Sequence, residues 1–176
     1  LPPYHEPEPD GAIVRGDVRA YTDRPPTAAD VTCIIEVADS SLPHDRSKKL
    51  EIYASSGIGQ YVIVNLAEDC VEVHEDPDAT ARRYVTSTRA RRVLGFSMSR
   101  GNAHVWLRQL TQEPDGLKMQ IQALGRTLEL RSPMLGTFNA VNCLTAATLA
   151  LAVGIAPAAI AAGIAKMPGA PGRFEF

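Results

Sequence analysis

The chain has 176 residues, 45% of them hydrophobic, and a formal net charge of −2, which excludes global disorder and suits one medium or two small domains. That charge conceals two opposite halves: residues 1–78 carry 16 acidic and 6 basic side chains (net −10), and residues 79–176 carry 4 acidic and 12 basic ones (net +8). Such asymmetry points to two modules with separate partners, meeting at a seam over residues 84–92, Tyr-Val-Thr-Ser-Thr-Arg-Ala-Arg-Arg.

In chain order, residues 11–15 and 31–37 read as short buried strands, the second rich in Val, Ile and Cys, with Arg24-Pro25-Pro26-Thr27 as a loop between them. Over residues 45–56 the apolar positions Leu50, Ile52, Tyr53 and Ala54, with charges on the other face, predict an amphipathic helix stopped by Gly57 and Gly59. Residues 61–66 then read as a strand and 70–74 as its hairpin partner across Ala67-Glu68-Asp69. Beyond the seam, strands are predicted at 93–98, 103–110, 117–123 and 126–130, separated by Ser-Arg-Gly-Asn, Pro-Asp-Gly and Leu-Gly-Arg turn signals. His104 and Trp106 share one face of the second of these and read as packing or surface residues. Two helices follow at 138–153 and 157–166, the latter with Pro157 in its first turn, where a missing N–H costs nothing. The Pro/Gly-rich residues 167–176 read as a linker. The expected class is α/β, with α+β as the alternative, divided into residues 1–84, a seam at 85–92, and residues 93–176.

Cys33, Cys70 and Cys143 are odd in number, widely spaced and set among apolar neighbours, which predicts reduced, buried thiols in a cytoplasmic protein rather than a zinc or disulfide framework. The opening Leu-Pro-Pro-Tyr shows no targeting pattern. The uncharged run 144–165 is dominated by Ala and broken by Gly154 and Pro157, so two short helices are expected there and no membrane partner.

Three residues of the first half carry candidate chemistry. Asp10 stands just before a strand, Glu36 lies within the buried run Ile-Ile-Glu-Val, and Lys49 lies on the helix that follows. A carboxylate beside a core is expensive unless it meets a cation or a donor. Two carboxylates at strand ends bind Mg²⁺ through hard oxygen ligands, and a neighbouring lysine steadies charge on a phosphate, which together make a phosphodiester-cleaving set. By spacing alone, the same residues also fit solvated or salt-bridged surface groups.

Five blocks in order extend the pattern: Pro-Glu-Pro-Asp-Gly-Ala-Ile-Val-Arg-Gly from residue 7, Ile-Ile-Glu-Val-Ala-Asp-Ser-Ser-Leu from 34, Asp-Arg-Ser-Lys-Lys-Leu-Glu-Ile-Tyr-Ala from 45, Gln-Tyr-Val-Ile-Val-Asn-Leu from 60 and Val-Glu-Val-His-Glu-Asp-Pro from 71. Over residues 1 to about 84 the chain thereby resembles the Uma2 family of restriction-endonuclease-like proteins. The resemblance implies a PD-(D/E)xK nuclease fold, DNA as substrate, and Asp10 and Glu36 as ligands of Mg²⁺ or Mn²⁺. The usual lysine position, two residues after the acid, holds Ala38, so the resemblance passes that role to Lys49. Asp45 and Arg46 also match the family, and a carboxylate at a helix start is expected to cap it. Tyr53 and Tyr61 are expected in the core. The matched part starts inside the family's domain, so the family's N-terminal region is expected to be missing. The net −10 argues against tight nucleic-acid binding by this half alone, with Arg46, Lys48 and Lys49 as the basic groups that would line a groove.

In the second half Gly-Thr-Phe-Asn-Ala-Val-Asn, residues 136–142, puts Asn139 and Asn142 three apart at a helix start. Asn139 is read either as the helix cap or, with Asn142, as a pair of amides facing the edge of a base. With Arg-Val-Leu-Gly-Phe-Ser from residue 92 and Met-Pro-Gly-Ala-Pro-Gly-Arg-Phe-Glu from 167, residues 87–176 resemble the Mur ligase family, closest to its MurE branch of UDP-N-acetylmuramoyl-tripeptide synthetases. The resemblance implies contact of Gly136, Phe138, Asn139 and Asn142 with ATP, and matches Arg173 to a Gly-Arg leading into a further domain. No Gly-x-x-x-x-Gly-Lys-Ser/Thr occurs among the 176 residues, so ligation of peptidoglycan precursors is not expected from this chain. Three readings stay open: a metal-dependent nuclease impaired or completed by its second half, a nucleotide-binding or interaction module without turnover, and a chimeric gene fragment. Self-association through exposed sheet edges is expected in each.

Overall fold

The computed structural model describes residues 8–75 and 92–167. The chain divides into two compact units, Leu1–Val93 and Leu94–Phe176. The seam up to residue 91 and the tail with Arg173 lie outside the described residues.

In the first unit four strands lie in the order β1 (Gly11–Val14), β2 (Val31–Ala38), β3 (Gln60–Asn65) and β4 (Cys70–Glu75). β1 and β2 are antiparallel, with Gly11 opposite Ile35; β2 and β3 are parallel, with Glu36 opposite Ile63; β3 and β4 are antiparallel, with Ile63 opposite Glu72. A parallel pair needs a crossover that covers one face of the sheet, and residues 42–55 supply it. This crossover is α1 (Leu42–His44), a π-helical turn (Asp45–Lys49) and α2 (Leu50–Ser55) run together. Strand alternation turns Ile34 and Ala38 of β2 and Tyr61 and Ile63 of β3 toward it, where they meet Leu42, Leu50, Tyr53, Ala54 and Ile58 in one core. The helix begins three residues before the predicted start, because Pro43 in the first turn pre-sets its backbone and forfeits no hydrogen bond. It ends at Gly57, whose φ of +74° closes the last turn.

The second unit begins within β5 (Arg92–Ser97), whose Phe96 and Ser97 pair in parallel with β6 (Val105–Glu113), and β6, β7 (Gly116–Ala123) and β8 (Arg126–Ser132) form an antiparallel meander. Leu124 and Gly125 both take positive φ, the backbone a two-residue hairpin needs for the right-handed twist. The inward residues Leu117, Met119, Ile121, Leu128 and Leu130 are buried, with α3 (Thr137–Ala152) packed on β6 and β7 and α4 (Pro157–Lys166) on β8. Strands with helices on one face give the unit an α/β character. β6 starts at Val105, two residues later than predicted. His104 precedes it because its Nδ1 accepts the Gly95 N–H at 3.0 Å, while Trp106 lies half-buried in the strand. All three cysteines are free and buried. No described helix is long and apolar enough to cross a membrane.

Candidate active site

The alternation that buries Ile34 and Ala38 also turns Glu36 inward, leaving it only 2% exposed. Both of its carboxylate oxygens are engaged: Tyr53 donates its hydroxyl to Oε1 at 2.9 Å, and the Lys49 ammonium stands 2.8 Å from Oε2. Asp10 is exposed and accepts the Val37 N–H through Oδ2 at 2.8 Å, and the register that sets Gly11 against Ile35 brings Asp10 opposite Glu36. Tyr53 was expected simply to pack in the core, and it is buried there, but it also touches the candidate acid. Burial first, then the hydrogen bond and charge of Glu36, with Asp45 and Asp10 adding, push the Tyr53 hydroxyl well above its ordinary pKa, so it stays a donor. Ala38 is fully buried and has no part in the cluster.

The crossover supplies the cation. Asp45, Lys49 and Tyr53 recur every four residues, which places them along one face of the helix. Lys49 Nζ lies 3.3 Å from Asp45 Oδ1 as well as beside Glu36. Burial works against its charge, yet Glu36 first and Asp45 second raise the Lys49 pKa above the ordinary lysine value. Asp45 does not cap the helix as expected: the helix starts at Leu42, so Asp45 falls one turn in, at 1% exposure. Its Oδ2 accepts the Ser41 hydroxyl at 2.6 Å, and its backbone carbonyl accepts Tyr61 OH at 3.0 Å. Opening the helix by one residue per turn is a distortion that recurs at functional positions, and here it occupies the segment bearing Asp45 and Lys49.

Arg46, on the same turn, points to β4. Its Nε and Nη2 grip Glu72 at 3.1 and 2.6 Å, and Nη2 also meets Glu68 at 3.1 Å. Asn65 donates to Glu72 Oε1 at 2.9 Å. Although burial opposes it, the Arg46 fork with the Asn65 bond holds the Glu72 carboxyl below its ordinary pKa. Sequence reasoning passed over Glu72 and Asn65; the signal was a charge at an inward position of the apolar strand Val-Glu-Val. Glu68, Cys70 and Glu72 present ligand atoms within 4.8 Å of one another. Arg46 already neutralises the two carboxylates, and burial first, then their charge, push the Cys70 thiol up to about 11, so this trio does not fit a metal. Asp10 and Glu36 do fit one. They are hard oxygen donors, Asp10 open to solvent just before β1 and Glu36 buried on β2, the donor type that suits Mg²⁺ or Mn²⁺.

In the second unit Gly136 at φ +88° occupies the capping position of α3, so Asn139 is not the cap. Its side-chain amide donates back to the Leu135 carbonyl at 2.8 Å, satisfying an acceptor just before the helix. Asn142 is exposed one turn later, 3.4 Å from Asn139 Oδ1, next to the exposed ring of Phe138.

Residues 1–101 match the family model of Uma2, described as putative restriction endonuclease, which carries the likeness past the expected limit near residue 84. Separately, 98 residues, or 56% of the chain, are 31% identical to 20% of the UDP-N-acetylmuramoyl-L-alanyl-D-glutamate–2,6-diaminopimelate ligase of Nostoc sp.. The corresponding ligase of Streptomyces avermitilis is 51% identical over 45 residues, 26% of this chain and 9% of that protein. The chain spans about a fifth of the length of the first of these curated relatives. Among solved structures, MurF from Acinetobacter baumannii aligns with a TM-score of 0.43 and 25% identity over 47% of this chain and 18% of its own.

Proposed function

The chain belongs to the Uma2 family, and on that premise we propose that its first segment hydrolyses DNA phosphodiesters with Mg²⁺ or Mn²⁺. The observation that carries this is Glu36, a buried carboxylate on a strand with an ammonium 2.8 Å away and a second carboxylate, Asp10, opposite it. Asp10 and Glu36 would hold the cation, which when bound supplies charge stabilisation at the phosphoryl group and a water of lowered pKa. Tyr53 fixes the orientation of Glu36 through its hydroxyl. Lys49 presents an N–H donor to a non-bridging phosphate oxygen, where negative charge grows as the bond to the leaving oxygen breaks. The exposed Lys48 supplies a further contact to the sugar-phosphate backbone. The test is plasmid nicking by the purified chain in Mg²⁺ or Mn²⁺, with Glu36→Ala expected to abolish it while circular dichroism stays unchanged. A wild-type chain that nicks under neither metal sinks the reading.

For the second segment, which is similar to part of the diaminopimelate ligases, we propose weak contact with a nucleotide base through Asn142 and no turnover of ATP. Its exposed carboxamide beside Phe138 supports the contact. The lack of a phosphate-cradling Gly-x-x-x-x-Gly-Lys-Ser/Thr sequence in the 176 residues argues against turnover.

A further inference from the structure

Resting on the metal-dependent reading above, we propose that Asp45 is a positioning residue that takes over Lys49 when Glu36 turns to a divalent cation. Tyr53 at 2.9 Å and Lys49 at 2.8 Å each hold one oxygen of Glu36, so a divalent cation arriving at this carboxylate meets the ammonium as a rival positive charge on Oε2. Releasing Tyr53 would strand a buried hydroxyl, whereas Lys49 has a second anion at hand. Asp45 is prepared for that role on two counts. Its Oδ2 is anchored by the Ser41 hydroxyl at 2.6 Å, and its Oδ1 is buried with no hydrogen bond and faces Lys49 Nζ at 3.3 Å. A buried carboxylate oxygen left without a hydrogen bond is costly, so a shift of the ammonium toward it recovers part of what Glu36 gives up. Since Lys49 lies one helical turn after Asp45, the transfer needs only side-chain rotation, with the backbone held by the Tyr61 bond to the Asp45 carbonyl. The ammonium stays charged and close to the reacting phosphate throughout, instead of competing with the cation for Glu36.

The test is Mn²⁺ binding to the full chain, measured by electron paramagnetic resonance, in a double-mutant cycle of Asp45→Asn and Lys49→Met. If Asp45 acts through Lys49, Asp45→Asn weakens Mn²⁺ binding by about tenfold in the wild-type background, since a neighbouring charge moves such equilibria by one or more log units. In the Lys49→Met background it then changes binding less than about twofold, because there is no ammonium left to place. The ¹⁵Nζ resonance of Lys49 also shifts on Mg²⁺ addition in the wild type and not in Asp45→Asn. An equal loss in both backgrounds identifies Asp45 as a direct ligand and overturns the proposal, as does no loss in either. If Asp45→Asn does not fold, Ser41→Ala carries the test, with a smaller loss that again vanishes beside Lys49→Met; an unchanged affinity overturns it. Failure is attributable: Mn²⁺ that never binds, or binds independently of Glu36→Gln, removes the metal site itself, whereas Glu36-dependent binding insensitive to Asp45 removes only this inference.

Discussion

Replacing Arg46 by Met cuts the tie that docks the crossover onto β4. Glu72 then keeps Asn65 as its donor at Oε1 and loses the fork at both oxygens. Removing one partner of a buried ion pair costs about 3–5 kcal/mol, because the remaining charge stays out of water. Here the Glu72 side chain is 6% exposed but that of Arg46 is 38% exposed, so part of the fork already feels solvent and the expected cost falls to about 3 kcal/mol. Adding Glu72→Gln, which keeps an acceptor for Asn65 and removes the stranded charge, should recover about half of it. The pH response gives a second check. In the wild type the Glu72 pKa is lowered, so its contribution is present above the ordinary carboxylate range and is lost as the solution is acidified through the folded value. In Arg46→Met the stranded carboxyl has a raised pKa, so the folded state binds the proton first and the variant gains relative stability as pH falls from about 7.5 to about 5. Hydrogen exchange of the Gln60–Glu75 hairpin amides under native conditions measures this locally, without requiring the two units to unfold together. A loss under about 1 kcal/mol, or a gap between wild type and variant that does not narrow with acid, would refute the reasoning.

Lys49→Ala should lower DNA nicking by about two orders of magnitude, because the donor beside Glu36 is lost, while Lys48→Ala, whose side chain is exposed, should change it by less than about threefold. Equal losses would show that the wrong lysine has been placed at the reacting phosphate. Gly116→Ala should destabilise the second unit by more than about 2 kcal/mol in thermal unfolding. At φ +146° its new Cβ would stand 2.0 Å from the Ser132 carbonyl oxygen; a shift within the error of the measurement would mean that the β6–β7 turn relaxes freely. Calorimetric titration should find ATP and adenosine binding equally weakly, with no hydrolysis, since no phosphate cradle accompanies Asn142. Tight Mg²⁺-dependent ATP binding that disappears in Asn142→Ala would reverse that assignment.

Most elements were legible because each has a local cause. β2 is a run of β-branched and apolar residues, α4 opens with Pro157, and the β7–β8 turn carries Gly125 beside a residue driven to positive φ. The errors came where a specific contact, rather than periodicity or residue type, decides. His104 leaves β6 because its imidazole is held by the Gly95 N–H, and no periodicity encodes that bond. Asn139 resembles a cap by residue type, but Gly136 takes the capping position and frees the amide to reach Leu135. The start of the crossover was missed for a simpler reason: Pro43 reads as a breaker unless it is recognised as a first-turn residue.

The candidate site cluster shows the same division between pattern and contact. Glu36 stands out in sequence as a charge inside an apolar strand and Lys49 as a lysine on the helix that follows, while its role as the motif lysine came through resemblance, although spacing contained the link. Asp45, Lys49 and Tyr53 at intervals of four mark one stripe on a helix, and such a stripe facing a buried carboxylate must carry its counter-charge, because an isolated buried carboxylate would take up a proton rather than stay ionised. Seen this way Asp45 is the unexpected member: a second buried acid that raises the cost of the cluster unless the lysine serves both. On the proposed exchange its place 3.3 Å from Lys49 has a use as well as a cost: a lysine held by Glu36 alone would compete with a cation for that carboxylate, and Asp45 gives the ammonium a second anion to meet.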